Sequence, residues 1–191
     1  MKLPQRIQLK IESRAWLAEM ATAHHYMHRP VHPRASPFGW AVLFDGAQYQ
    51  PDGNPSGFII FATAHFTRLR GEFGYPGLPT KWQVLCLSRL WLHDNLPHNS
   101  ETCVIAKALR QVQHRWLEVH PPRFLDQPYQ IVKIITYADT RFHQGTIYKA
   151  ANFRQAGHTQ TQPRHKNTRD PGQHAELIRF IYDLKPPGAR T

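Results

Sequence analysis

Asp139 has the strongest claim to chemistry in this chain. It follows an apolar, β-branched run, residues 131–138, and precedes a polar loop containing Gly145. If 131–138 is a strand of an open sheet, Asp139 lies just past its carboxyl end, where such sheets bind ligands. A carboxylate there accepts a proton from an amine or holds a hard cation; the plainer role is to cap the loop. His25 and Tyr26 come next. They follow a helical stretch and precede a segment broken by Pro30, Pro33 and Pro37. A neutral imidazole ligates a metal or moves a proton near pH 7, so His25 and Asp139 are also the candidate metal ligands. Against this, the chain has 13 histidines, and the adjacent His24 is a rival. Tyr26 is either a packed aromatic whose hydroxyl finds a partner or a group that orients a base or donor. Arg89 lies inside a long apolar stretch and needs either a carboxylate, with Glu101 and Asp94 the candidates, or a substrate. Ser100 reads as a helix N-cap, although a hydroxyl at a helix start can also bind a donor.

The elements that must position these residues are legible from periodicity. Residues 5–10 alternate as a half-buried strand does. Ser13 caps a helix from residue 14 to 20 and beyond. Residues 39–44 and 57–64 read as two strands joined by a turn-rich connection, and residues 82–92 as a long central strand. A helix over 102–117 places Val104, Ile105, Ala108, Leu109, Val112 and Trp116 on one face. Strand 131–138, helix 146–151 and strand 176–184 complete the order. Residues 159–174 read as a mobile basic loop and 185–191 as a frayed tail. The expectation is one α+β domain over residues 1–191, with a mixed central sheet flanked by helices. Trp40, Phe66, Trp82 and Trp91 are core by default, with stacking on a base as the alternative. His143, His158, His165 and His174 have no metal-binding spacing and read as loop residues or weak phosphate contacts.

Charge narrows the partner. The net charge is +11, and residues 141–191 hold nine Lys/Arg against three Asp/Glu. Arginine outnumbers lysine 16 to 8, and its planar fork suits phosphate. The charge predicts attraction to a polyanion, with Arg68, Arg70, Arg164, Lys166 and Arg169 as the candidate phosphate contacts; a basic surface without a ligand is the bland alternative. No apolar run approaches the length of a membrane span, and the N-terminus lacks the apolar segment of a signal peptide. Cys86 and Cys103 sit in apolar runs without a CxxC pair, which excludes a cysteine zinc site and suggests buried thiols in a reducing cytoplasm.

The order of elements and the block from residue 134 to 158 resemble the GNAT acyltransferases. More specifically, Ala23-His-His-Tyr26, residues 87–101 around Arg89 and Ser100, Tyr137-Ala-Asp139 and Gly145-Thr-Ile-Tyr148-Lys-Ala-Ala-Asn152-Phe153 resemble the Mom-type DNA modification proteins of phages and prophages. That resemblance covers roughly residues 23–158. It implies a GNAT-like enzyme that converts adenine in DNA to an N6-carbamoylmethyl derivative and so shields the DNA from restriction. It makes double-stranded DNA the polyanion that the basic residues contact, places the active roles on His25, Tyr26 and Asp139, suggests iron as a cofactor, and sets Tyr148 and Phe153 near the acyl donor. GNAT enzymes cradle the CoA pyrophosphate with a glycine-containing loop before the main helix. Residues 92–99 contain no glycine but do contain Asp94 and Pro97, so acetyl-CoA is a doubtful donor. A glycine-derived group fits the product, and aminoacyl-tRNA is a possible carrier of it. The alternatives are a GNAT N-acetyltransferase that uses acetyl-CoA on an amine, and a basic nucleic-acid-binding protein without catalysis.

Overall fold

The computed structural model describes residues 3–45, 55–64, 83–120, 130–160 and 176–184. A short 3-10 turn leads into β1 (Ile7–Ile11), followed by α1 (Arg14–His24), β2 (Phe38–Phe44), β3 (Gly57–Thr63), β4 (Val84–Leu92), α2 (Ser100–Val119), β5 (Lys133–Asp139), α3 (Thr146–Ala150), β6 (Arg154–Gln160) and β7 (Glu176–Asp183). The strands form one seven-stranded sheet in the order β1-β2-β3-β4-β5-β7-β6. Every neighbouring pair is antiparallel except β4 with β5, which is parallel. This is the mixed α+β sheet that the element order implies.

Side-chain alternation explains the layers. All seven residues of β3 are buried, as expected for a strand covered on both faces. Ile59 and Phe61 join the α2 face, where Val104, Ile105, Ala108, Leu109, Val112 and Trp116 pack against them. Phe58 and Ile60 point the other way, onto Leu17 and Ala21 of α1. Trp116 is 1% exposed, and removing its ring should cost about 3–5 kcal/mol. The Gln113 side chain at the far end of α2 accepts from Ile131 N–H at 2.7 Å, so this helix also fixes where β5 begins. No described helix is long and apolar enough to cross a membrane.

Several boundaries differ from the sequence reading. Ser13 does cap α1, accepting from Trp16 N–H at 3.1 Å. Asn99, not Ser100, holds the cap position of α2, with φ of 67° and no side-chain cap bond. Asp139 is the last residue of β5 and does not lie beyond it. β6 was not legible as a strand. Its sequence, Arg-Gln-Ala-Gly-His-Thr-Gln, has no apolar alternation because it lies at the sheet edge. Its two final residues fall in what reads as the basic loop; residues 161–175 lie outside the described residues.

Candidate active site

β4 carries one extra residue, and the site follows from it. Ile60 pairs with Arg89 and Phe61 with Leu87, which leaves Ser88 without an opposite number. A bulge of this kind bends the strand and re-aims its side chains. Before it, Leu85 and Leu87 pack toward α2. After it, Leu92 does so, and Trp91 packs against Phe58 on the α1 side. Arg89 is thereby turned toward the end of α1. The parallel ladder with β5 stops just before the bulge, at Cys86 and Ile135. One residue on, the Thr136 hydroxyl donates to the Leu87 carbonyl at 3.0 Å. Beyond that contact β4 runs on to Leu92 and β5 to Asp139 with no further pair between them among the described residues.

His25, Tyr26, Arg89, Asp139 and Tyr148 come together beside these strand ends. His25 terminates α1 and is 6% exposed. Its ring lies 4.3 Å from that of Tyr26. His24 turns the other way and stacks on Trp91 at 4.3 Å, so the geometry separates the two histidines. The Met27 N–H donates to His25 Nδ1 at 3.2 Å. With Nδ1 accepting, the neutral ring carries its proton on Nε2. Burial first, and then the Arg89 charge, lower the imidazole to about 4. At neutral pH His25 is therefore an uncharged hydrogen-bond donor through Nε2. Burial first, and then the Asp139 charge, raise the Tyr26 phenol, which also stays protonated.

Asp139 is fully engaged. Its Oδ1 accepts from the Arg141 N–H at 3.1 Å and from Arg141 Nε–H at 3.0 Å, and its Oδ2 accepts from Nη2–H at 2.7 Å. Its carbonyl accepts from Phe142 N–H at 3.0 Å and His143 N–H at 2.8 Å. The bond from the Arg141 guanidinium is the main reason the carboxyl sits below the usual range. The loop-cap role and an ion pair are thus both present. Arg141 and Phe142 are site residues that the sequence reading missed; the Asp-x-Arg spacing at a strand end was the available signal, since a carboxylate readily bonds the N–H two residues on.

Arg89 does not pair with Glu101 or Asp94. Nη1–H donates to the Ser88 carbonyl at 2.6 Å, and Nε is buried without a hydrogen-bond partner among the described residues. Burial lowers its pKa, yet it remains a cation. The Tyr148 hydroxyl bonds to Thr136, and burial pushes its phenol up to about 12; its ring packs on Phe180 at 5.4 Å. Gly145 opens this helix with φ of +71°, and a Cβ there would lie 2.3 Å from the Phe180 ring.

Ser100 is spent in its own loop. Its N–H and its hydroxyl both bond to the Pro97 carbonyl, the latter at 2.5 Å. A hollow of about 240 Å³ lies between α2 and α3, lined by Thr102, Arg110, Asn152 and Tyr182 among others. Trp40 is core, 1% exposed. His158 faces Glu176 at 2.6 Å, whereas His143 lies against Tyr26 with ring centres 5.7 Å apart. Arg68, Arg70, Arg164, Lys166 and Arg169 lie outside the described residues, as do Phe66, Trp82, His165 and His174.

The residues present do not fit an iron site. Among the described residues no three His, Cys, Asp or Glu side chains converge to hold a metal. Both Asp139 oxygens are committed to Arg141. A metal on His25 Nε2 would require a proton on Nδ1, the atom that faces the Met27 N–H.

The profile of the Mom protein family matches residues 6–179. No curated protein matches the sequence. Solved structures match in fold. Arabidopsis thaliana NAA60 in complex with acetyl-CoA has a TM-score of 0.60 at 13% identity, over 93% of this chain and 98% of that one. Vibrio cholerae spermidine N-acetyltransferase in complex with CoA and spermine has a TM-score of 0.56 at 11% identity, over 94% and 96%. The acetyltransferase yncA of Salmonella typhimurium, described as putative and solved with acetyl-CoA, has a TM-score of 0.54 at 8% identity, over 96% and 97%.

Proposed function

Because the chain belongs to the Mom protein family and has the GNAT fold, we propose that this GNAT-like transferase modifies the N6 amine of adenine in double-stranded DNA with a glycine-derived group, protecting mobile-element DNA from restriction. One observation carries the reading furthest. Aromatic rings and arginines gather at the carboxyl ends of β4 and β5: Tyr26, Phe142, Arg89 and Arg141. Flat rings and positive charge are what an extrahelical base on a phosphate backbone requires. The base must leave the stack, at a cost of a few kcal/mol.

Roles follow from the charge states. Arg89 brings a half-buried cation, not paired with a carboxylate among the described residues; it stabilises the negative charge that develops on the donor carbonyl as the amine attacks. His25 Nε2–H and the protonated Tyr26 hydroxyl orient the base or the donor. Asp139 holds Arg141 and the turn beside these strand ends. Attack of N6 on the carbonyl of an ester-linked glycine would release the carrier's hydroxyl and give the N6-glycyl product, so aminoacyl-tRNA is a balanced donor for that isomer; the carbamoylmethyl isomer, with N6 on the glycine α-carbon, requires a further rearrangement. The committed N–H and hydroxyl of Ser100 and the absence of glycine in residues 92–99 speak against a CoA pyrophosphate there.

Plasmid DNA from cells expressing the chain, digested to nucleosides, tests the reading. A modified deoxyadenosine is expected. N6-glycyl and N6-carbamoylmethyl adenine are isomers, so chromatography against synthetic standards must accompany the mass. Unmodified adenine throughout would refute the reading. The second reading, an acetyl-CoA-dependent N-acetyltransferase, has in its favour the acetyl-CoA named with two of the solved neighbours. A thermal shift or calorimetric titration showing low-micromolar acetyl-CoA affinity would promote it; the expected result is no tight binding.

A further inference from the structure

Ile11, Tyr26 and Phe142 are the large apolar side chains exposed among the described residues, and two of the three touch each other beside Asp139. Phe142 is 56% exposed and Tyr26 39%, with ring centres 5.0 Å apart. A lone exposed phenylalanine is unremarkable. This one differs in how firmly its backbone is held. Its own N–H and that of His143 both donate to the Asp139 carbonyl. The Asp139 carboxylate grips Arg141 on the other side. Thr140 anchors the same turn to β7, its N–H and hydroxyl donating to the Glu176 carbonyl at 3.1 and 3.0 Å. The Arg141 guanidinium lies 5.4 Å from the Phe142 ring centre. The fold thus presents a firmly held turn with an apolar tip, a cation against it, and Tyr26 and His25 beside it.

A rigid apolar side chain that projects among cations matches the devices proteins use to part stacked bases. Phe, Leu, Ile and Met wedges enter between base steps while arginine and lysine hold the phosphates. We propose that Phe142 is such a wedge: it enters the duplex at the target adenine and fills the space the base vacates, while Tyr26 supplies the face on which the extrahelical base rests. This rests on the DNA reading above. It also gives Asp139 a positioning duty, since the carboxylate shapes the turn that carries Phe142.

The test measures binding and base exposure, so it needs no donor. Two short duplexes carry 2-aminopurine at one position, one opposite thymine and one opposite an abasic site. Where the partner base is missing, the base is already loosened and the wedge has less to do. The wild-type protein is expected to bind both and to raise the 2-aminopurine fluorescence on the paired duplex. Phe142→Ala is expected to bind the paired duplex roughly tenfold or more weakly, without the fluorescence rise, but to bind the abasic duplex within about threefold of wild type. Phe142→Leu should restore both signals. Equal loss by Phe142→Ala on the two duplexes, or no loss on the paired one, overturns the wedge and leaves the DNA reading standing. Wild-type protein that binds neither duplex overturns the DNA reading itself and the wedge with it. Phe142 is exposed, so thermal melts of the variants should match wild type; if Phe142→Ala melts early, Phe142→Gln, of similar reach but polar, takes its place with the same expected loss on the paired duplex alone.

Discussion

Replacing His25 by asparagine should remove most of a pH-dependent loss of stability. Asparagine offers Oδ1 to the Met27 N–H in place of Nδ1 but does not titrate. In the wild type the unfolded chain takes up the His25 proton near 6.5, whereas the native ring does so only near 4. The native state binds fewer protons in that window. The contribution of the neutral ring is therefore fully present above about pH 6.5, and it is lost as the pH falls from there toward about 4. Over this interval of about 2.5 units, at about 1.36 kcal/mol per unit, the ceiling is about 3.4 kcal/mol. The ring borders exposed Tyr26 and His28, and solvent screening reduces the expected effect to about 1–2 kcal/mol. For a chain of this length that corresponds to roughly 3–6 °C in Tm. Melts of wild type and His25→Asn near pH 7 and near about pH 4.5 give the difference directly. His120 is also shifted downward by burial, but it is common to both proteins and cancels. Imidazole NMR supplies the site-resolved check, with Nε2 protonated and Nδ1 not. Equal acid shifts in the two proteins, or a His25 ring that titrates near 6.5, would refute both the buried neutral state and the donor role built on it.

Asp139→Asn keeps an oxygen for the Arg141 N–H but loses the charge opposite the half-exposed guanidinium, which should cost about 1 kcal/mol. Asp139→Ala loses the turn bond as well, about 2–3 kcal/mol in all. Because the Asp139 pKa is lowered, the wild-type advantage is present above about pH 4 and fades as the pH falls through the native value. DNA modification in cells should drop far more than these melts suggest; near-wild-type modification by Asp139→Asn would remove any role for the carboxylate. Arg89→Met should leave stability unchanged or raise it by about 1 kcal/mol, since a desolvated cation without a carboxylate partner among the described residues is replaced by an apolar chain, while modification is lost; a strongly destabilised variant would show that the arginine is structural. Alanine at Arg164, Lys166 and Arg169 together should flatten the plot of log K against log salt by up to about 2.7, at about 0.9 per phosphate contact, and an unchanged slope would detach that segment from DNA.

Local pattern was enough to find most of the elements, because burial on one or two faces imposes a period that the chain displays. The unbroken apolar run of β3 and the helical spacing from Val104 to Trp116 are such cases, and the position of Asp139 at a strand end followed from where an apolar run stops. The excess of arginine needed no structure at all. Other features were beyond local pattern. β6 is an edge strand whose side chains are largely exposed, so nothing in its sequence had to alternate. The partner of Asp139 was near in sequence, but which group an ion pair selects depends on how the turn folds back. The unpaired Ser88 shifts the phase of β4 by one residue and sends Arg89 to the α1 face; that shift depends on register with β3, which no single strand contains. The choice of His25 over His24 depends on which side of α1 faces Tyr26 and which faces Trp91. The sequence by itself determined the periods, the strand ends and the charge. Only the tertiary structure decided where the β4–β5 pairing stops, which way Arg89 turns and that Phe142 stands beside Tyr26, because those depend on contacts between segments far apart in the chain.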